Sequence, residues 1–200
     1  MDGMAPSDEQ LVEAFQSGDV SAFDELLRRW DRKIQGAIYR LMGSEDEARD
    51  LCQETFLKAY RALRSFKREA RFSSWLYQIA LNVCRDRMRR KKGKTLVSLD
   101  DLEDNGTLLP TPVGPSALDL VEAGNLARAV ASAVAALPEE QREVIVLKEY
   151  EGLTFVEIAE VLGLPTSTVK TRLYRGLGQL KERLLEQGIR SAAPVPAPLS

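Results

Sequence analysis

Between residues 19 and 43, Phe23, Leu26, Leu27, Trp30, Ile34, Ala37, Ile38 and Leu41 follow one another at steps of three and four. That is the spacing of one apolar stripe along a long helix. A shorter run before it, "SDEQLVEAFQSGD", has Ser7 and Gln10 in capping-box positions, where hydroxyl and amide each satisfy a free backbone N–H. A third run opens with Ser44 and Glu47 and continues as "EDEARDLCQETFLKAYRALRSF", with Leu51, Thr55, Phe56, Ala59 and Leu63 able to face inward. After the short loop "FKREARFS", Ser73 or Ser74 caps a fourth helix with Trp75, Leu76, Ile79, Ala80, Val83 and Met88 on its apolar side. The pattern shows little sign of strands, and the predicted fold class is all-α: two small helical domains joined by a flexible linker.

The break between the two comes at residues 91–120, where Gly, Pro, Asp and Ser are mixed, Asn105 meets Gly106, and no helical run survives. Helical spacing resumes from about Leu120, and Pro138 sets a second helix start after Leu137. The chain then reads "LTFVEIAEVLGLPTSTVKTRLYRG". Thr154 and Glu157 form a capping box, and Val156, Ile158, Ala159 and Leu162 supply an apolar face. Gly163 stands where a chain leaving a helix needs positive φ, and beyond Pro165 either Thr166 or Ser167 can cap the next helix. Two short helices about a tight turn make a helix-turn-helix, against the plainer reading of a helical hairpin with a solvated basic face. The expected domains are therefore residues 1–94 and 121–188, with a linker over 95–120 and a disordered Pro/Ala tail over 189–200.

Composition narrows the chemistry. With 44% hydrophobic residues among 200, the chain can bury a sizeable core. The start "MDGMAPSDEQ" has neither a basic segment nor an apolar one, and no run approaches the roughly 18 apolar residues of a membrane span, so a cytoplasmic protein is expected, with no direct membrane insertion. Cys52 and Cys84 lie far apart, which indicates neither a disulfide framework nor a thiolate metal site. Histidine is absent, removing the commonest general base, the usual nucleophilic triads and most zinc sites. No catalytic residue, metal site or cofactor is expected, and an enzyme is not.

The net charge of −2 conceals a strong asymmetry. Lys+Arg against Asp+Glu runs 7 to 13 over residues 1–60, 12 to 2 over 61–94, 1 to 6 over 95–136 and 8 to 9 over 137–200. The basic stretch interleaves Phe66, Phe72, Trp75 and Tyr77 with Lys67, Arg68 and Arg71, as a surface holding single-stranded nucleic acid requires, because rings stack on bases and cations track phosphates. Taken singly, Trp75, Phe72 and Tyr77 are residues more often found in a core than as base platforms, and it is the density of cations around them that favours the platform. On the third helix Asp50, Gln53, Glu54 and Leu57 share one side, either as a solvated face or as a docking surface for a protein. The second helix of the helix-turn-helix carries Thr168, Lys170, Thr171, Arg172, Tyr174 and Arg175, whose cations and hydroxyls suit phosphates, guanine edges and thymine methyls.

The segments "DLCQETFLKAYRAL", "FSSWLYQIALNVCRDRMRR" and "ALPEEQREVIVLKEYEGLTFVEIAEVLGLPTSTVKTRLYRGLGQLKERL", in this order and separated by a linker, resemble the extracytoplasmic-function sigma factors of bacterial RNA polymerase. The resemblance implies that Asp50, Gln53, Glu54 and Phe56 dock on the polymerase core, whose beta-prime and beta subunits become partners together with promoter DNA. It implies that Phe66, Lys67, Arg68, Arg71 and Phe72, with Trp75 behind them, surround a base flipped from the melted −10 strand, while Asn82, Arg85, Asp86 and Arg89 face the upstream junction. It implies that Thr168, Lys170, Thr171, Arg172, Tyr174 and Arg175 read the −35 duplex in the major groove. Members of the family are usually restrained by an anti-sigma protein, which becomes an expected further partner. Gly176 and Gly178 depart from the pattern, each costing roughly 1 kcal/mol in a helix interior, so fraying is expected there. A polymerase-independent regulator and an RNA chaperone using residues 61–94 are the competing readings.

Overall fold

The computed structural model describes residues 5–67, 69–95, 126 and 129–189. The expected linker from residue 96 on and the tail beyond residue 189 lie outside that set, as does Arg68, whereas residues 91–95, where the sequence pattern was expected to break, are helical. Helix α1, Asp8–Gln16, begins with the expected capping box: Gln10 N donates to Ser7 Oγ at 3.2 Å, and Ser7 N donates to Gln10 Oε1 at 2.7 Å. Helix α2, Ser21–Met42, ends at Gly43, whose φ of 76° places it in the left-handed region. Helix α3, Glu45–Leu63, starts at Ser44, whose hydroxyl accepts from Glu47 N, while the Glu47 carboxylate reaches Lys91 at 2.7 Å. Helix α4 spans Phe72–Thr95. Their apolar faces meet in a core that includes Phe15, Leu26, Ile34, Ile38, Leu51, Leu63 and Leu76.

The second body contains α5 over residues 129–135, α6 over Glu139–Ile145, a π-helical turn Val146–Tyr150, α7 over Phe155–Leu162 and α8 over Thr166–Glu186. The Thr154–Glu157 capping box is present, and Gly163 turns the chain with φ 66° between α7 and α8. No strand occurs among the described residues.

Three local expectations are corrected. Helix α4 begins at Phe72, before the serines expected to cap it, so Ser74 lies inside the first turn and is buried. Helix α8 begins at Thr166 behind Pro165, with no side-chain cap; the Pro165 carbonyl accepts from Thr168 N and Val169 N instead. Nor does α8 break at its glycines, since it runs unbroken to Glu186. Gly176 is buried because α8 crosses α6 there: an added Cβ would lie 2.8 Å from Ile145 Cδ1 and 3.2 Å from Gln141 Cβ. An added Cβ on Gly178 would have nothing within 4 Å. Opposite outcomes are therefore expected in denaturant unfolding of the full chain. Gly178→Ala adds about 0.5–1 kcal/mol of stability through helix propensity. Gly176→Ala gains the same propensity but loses about 1–2 kcal/mol net to overpacking.

The two bodies are docked on one another and share one continuous core. Helix α4 supplies much of the contact, because it is buried on more than the one face its apolar spacing predicts: Tyr77, Leu81 and Cys84 are buried along with Leu76, Ala80 and Val83. Across the boundary, Arg85 Nε and Nη2 donate to the two carboxylate oxygens of Glu143 at 2.7 and 2.6 Å. Tyr77 donates its hydroxyl to Glu151 at 2.5 Å, Arg71 to Glu157 at 3.0 Å, and Arg142 to the Leu41 carbonyl at 2.7 Å.

Candidate nucleic-acid interface

Three surfaces carry the residues singled out by the sequence. The first is a groove of about 600 Å³ between α2 and α3. Gln53, Phe56 and Leu57 line it from α3, and Tyr60 and Leu27 complete it. Leu57 is 50% exposed, Tyr60 40% and Leu27 39%, a concentration of uncovered apolar side chains on one face. Phe56 is nearly buried and forms the floor, whereas Asp50 and Gln53 are exposed on the same helix and Glu54 pairs with Lys58 at 2.9 Å. Spacing alone assigned Leu27 to the core stripe; the structure turns it outward, since Leu26 and Trp30 already occupy the inward positions. Tyr60 was missed, because one exposed ring at the end of a helix leaves no periodic signal.

Cys52 also borders this groove, but its thiol is poorly suited to reaction. Burial, with Asp31 close by, pushes its pKa up to about 12, and burial, with Glu143 and Glu47 near, does the same for Cys84. Both remain protonated thiols at neutral pH.

The second surface is the segment joining α3 to α4 and the face of α4 that follows. Phe66 is half-buried with its ring 4.7 Å from that of Trp75, and Lys67 is exposed beside it. Phe72, expected among the base-contacting groups, sits in the core at 1% exposure with its ring 6.2 Å from Trp30. It thus supports Trp75, 5.9 Å away, from within. Tyr77 is likewise a core residue, its ring 5.8 Å from Trp30. Asn82 is exposed, and Asp86 holds Arg89 at 2.5 Å. Arg71 and Arg85 are engaged by Glu157 and Glu143 of the second body. Burial raises the Glu151 carboxyl above its ordinary pKa against the opposing hydrogen bond from Tyr77, and burial also raises the Tyr77 hydroxyl.

The third surface is the outer face of α8. Lys170, Thr171 and Arg175 are exposed, and Thr168, Arg172 and Tyr174 half-buried. Thr171 Oγ1 donates to the Ser167 carbonyl at 2.9 Å, and the Lys170 ammonium stands 5.5 Å from the Phe155 ring centre. Arg172 reaches Glu140 at 2.8 Å across a cleft of about 340 Å³ between α6 and α8. Among the described residues no cluster of His, Cys, Asp and Glu could hold a metal ion, and no helix is long and apolar enough to cross a membrane.

A helix-turn-helix on one helical body, an aromatic and basic segment on another, and an uncovered apolar groove besides define a two-headed DNA reader built to sit on a larger protein. Comparison with known proteins makes the class specific. Residues 26–94 match Sigma-70 region 2, and residues 127–180 match Sigma-70, region 4. The chain is 34% identical over 176 residues to the ECF RNA polymerase sigma factor SigW of Bacillus subtilis, an alignment covering 86% of this chain and 94% of that protein. It is 36% identical over 176 residues to the RNA polymerase sigma-H factor of Pseudomonas aeruginosa, covering 84% and 89%. Among solved structures it resembles the sigma factor RpoE of Bartonella quintana in complex with the anti-sigma factor NepR, with a TM-score of 0.71 at 25% identity, over 83% of this chain and 98% of that one. CnrH in complex with the cytosolic domain of CnrY gives 0.64 at 29% identity, over 90% and 97%. The chain belongs to the extracytoplasmic-function family of RNA polymerase sigma factors, and it directs promoter-specific transcription initiation.

Proposed function

We propose a division of labour among the three surfaces. Residues 1–94 act as the region 2 domain and residues 121–188 as the region 4 domain, with 95–120 as the connecting linker. The groove between α2 and α3, edged by Asp50, Gln53 and Glu54, is the seat of the polymerase core. Its exposed Leu27, Leu57 and Tyr60 supply apolar area, and the carboxylates and amide set register at the rim. Among the described residues, the bonds between the two bodies are made by other groups, Arg71, Tyr77, Arg85 and Arg142 among them. Phe66, Lys67, Arg68 and Arg71, with Trp75 stacked on Phe66, cradle a base of the melted −10 strand, while Asn82, Arg85, Asp86 and Arg89 meet the upstream junction. Extruding a base costs a few kcal/mol of lost stacking, which a pocket of rings and cations offsets. Thr168, Lys170, Thr171, Arg172, Tyr174 and Arg175 read the −35 duplex. All of this is binding, with no catalytic group required of the chain, and it takes place in the cytoplasm, where core polymerase works.

The observation that carries most weight is the pairing of Arg85 with Glu143 and of Arg71 with Glu157. Two promoter-facing cations are neutralised by the second domain, so the two bodies separate when core and promoter are engaged. By extension from the solved RpoE seen with the anti-sigma factor NepR, such a protein would hold this chain inactive. The direct test mixes the chain with sigma-free core polymerase, separates complexes by size, and maps transcription starts on genomic DNA. A complex that initiates at discrete sites ignored by core alone, and that Gln53→Ala or Glu54→Ala weakens, is the expected result. Duplex binding without any polymerase complex would instead mark an independent regulator.

A further inference from the structure

We infer that Gln16 is a positioning residue for the −10 strand: from the end of α1, its side-chain amide fixes the main chain of the loop that presents Phe66 and Lys67. The inference rests on the reading of that loop given above.

Gln16 is the last residue of α1. Its Nε2 lies 3.0 Å from the Leu63 carbonyl oxygen and 2.8 Å from the Phe66 carbonyl oxygen, across 47 and 50 residues of sequence. A primary amide nitrogen carries two hydrogens, so both bonds form at once. Leu63 ends α3, and its carbonyl is among those a helix terminus leaves without an intrahelical donor. That same oxygen accepts from Phe66 N at 3.2 Å. The main chain entering the loop is thereby closed into a small bonded unit with Gln16 at its centre. The loop residue in this unit, Phe66, is held twice, its carbonyl by Gln16 and its ring by Trp75.

The anchor is itself rigid. The neighbouring Phe15 is buried with its ring 5.7 Å from Phe23 and 5.4 Å from Tyr60, and Val12, one turn earlier, is fully buried. Gln16 therefore cannot follow the loop if the loop moves. Without the two bonds, the peptide linking Phe66 to Lys67 is free to rotate, and the Lys67 side chain loses a fixed direction. A captured base is read by contacts whose geometry tolerates little displacement, so the effect falls on base preference more than on general affinity. Gln16 also lies upstream of residues 26–94, the stretch that matches Sigma-70 region 2. Helix α1 thus contributes to promoter reading from outside that stretch.

The test assembles core polymerase with the full-length chain carrying Gln16→Leu, Gln16→Glu or Gln16→Lys and lets each holoenzyme select from single-stranded DNA with a randomised window. Leucine keeps bulk and removes the donor, glutamate keeps shape but opposes a carboxylate to two carbonyls, and lysine restores donors. Base preference at the captured position is expected to fall about tenfold with Leu and Glu, the loss of two hydrogen bonds, and to return in large part with Lys. Affinity for core and for the −35 duplex is expected to be unchanged, which separates positioning from general destabilisation. Lys67→Ala and Arg71→Ala are measured alongside. If those two lose base preference while Gln16→Leu and Gln16→Glu keep it, the role of Gln16 is overturned and the loop reading stands. If the loop variants keep it, the loop reading falls and the inference with it. Should the leucine variant fail to fold, the contrast between glutamate and lysine decides.

Discussion

Glu143→Ala is expected to release the two domains from one another and to raise single-strand binding by the free protein. The Glu143 side chain is 3% exposed, and both its oxygens are used by Arg85 at 2.6 and 2.7 Å. Removing it leaves the half-buried Arg85 guanidinium facing the second domain without its partner, a penalty that falls on the docked form alone, since the cation regains water when the domains part. Truncating one partner of such a hydrogen-bonded pair costs about 2–5 kcal/mol, enough to shift a docking equilibrium at least tenfold. Energy transfer between dyes on Glu9→Cys and Lys181→Cys reports the separation; the native Cys52 and Cys84 are buried and held protonated, so they compete poorly for label. Transfer should drop in the free variant and become equal for both proteins once core is added. Arg85→Ala opens the domains too but removes a proposed promoter contact, so it should not raise single-strand binding. Unchanged transfer in Glu143→Ala would mean that the apolar contact alone holds the domains together.

What the sequence made legible follows the range of the forces involved. Ser7 with Gln10, Thr154 with Glu157, and Gly163 all appear as read, because a cap or a left-handed turn is decided by residues three or four positions apart. The stripe of α2 was legible for the same reason, with Leu27 the exception. Helix α4 was legible on one face only: Leu76, Ala80 and Val83 are buried as read, whereas Tyr77, Leu81 and Cys84 form a second buried face that no local period announces. Phe72 and Gly176 make the same point at single positions. An aromatic among cations reads as a base contact until Trp30 is found against it, and a glycine in a helix reads as a weakness until Ile145 is found above it. Gln16 gave no signal at all, because its partners are main-chain carbonyls and carry no residue type to match.

Leu57→Glu is expected to abolish holoenzyme assembly in a chain that remains folded. Leu57 is half-exposed on the outer side of α3, and glutamate is nearly as good a helix former as leucine, so the effect on stability should stay within about 0.5 kcal/mol. Binding responds differently. Docking would bury position 57 between Leu27, Tyr60 and the Phe56 floor, and a carboxylate enclosed there is stripped of water at an apolar contact, while Arg49, the cation that lines the groove, already faces Glu45 and Asp46 at 3.6 and 3.7 Å. A charge placed at the centre of an apolar contact typically costs about 2–4 kcal/mol or more, against roughly 1 kcal/mol for trimming a rim group such as Glu54, which spends part of its charge on Lys58. Competition for core against the unmodified chain should therefore show a deficit of roughly thirtyfold to several-hundredfold for Leu57→Glu and of several-fold for Glu54→Ala, with −35 duplex binding by α8 unaltered in both. Full competition by Leu57→Glu would remove the groove from the polymerase contact and leave the exposed Asp50 and Gln53 to carry docking as a purely polar patch.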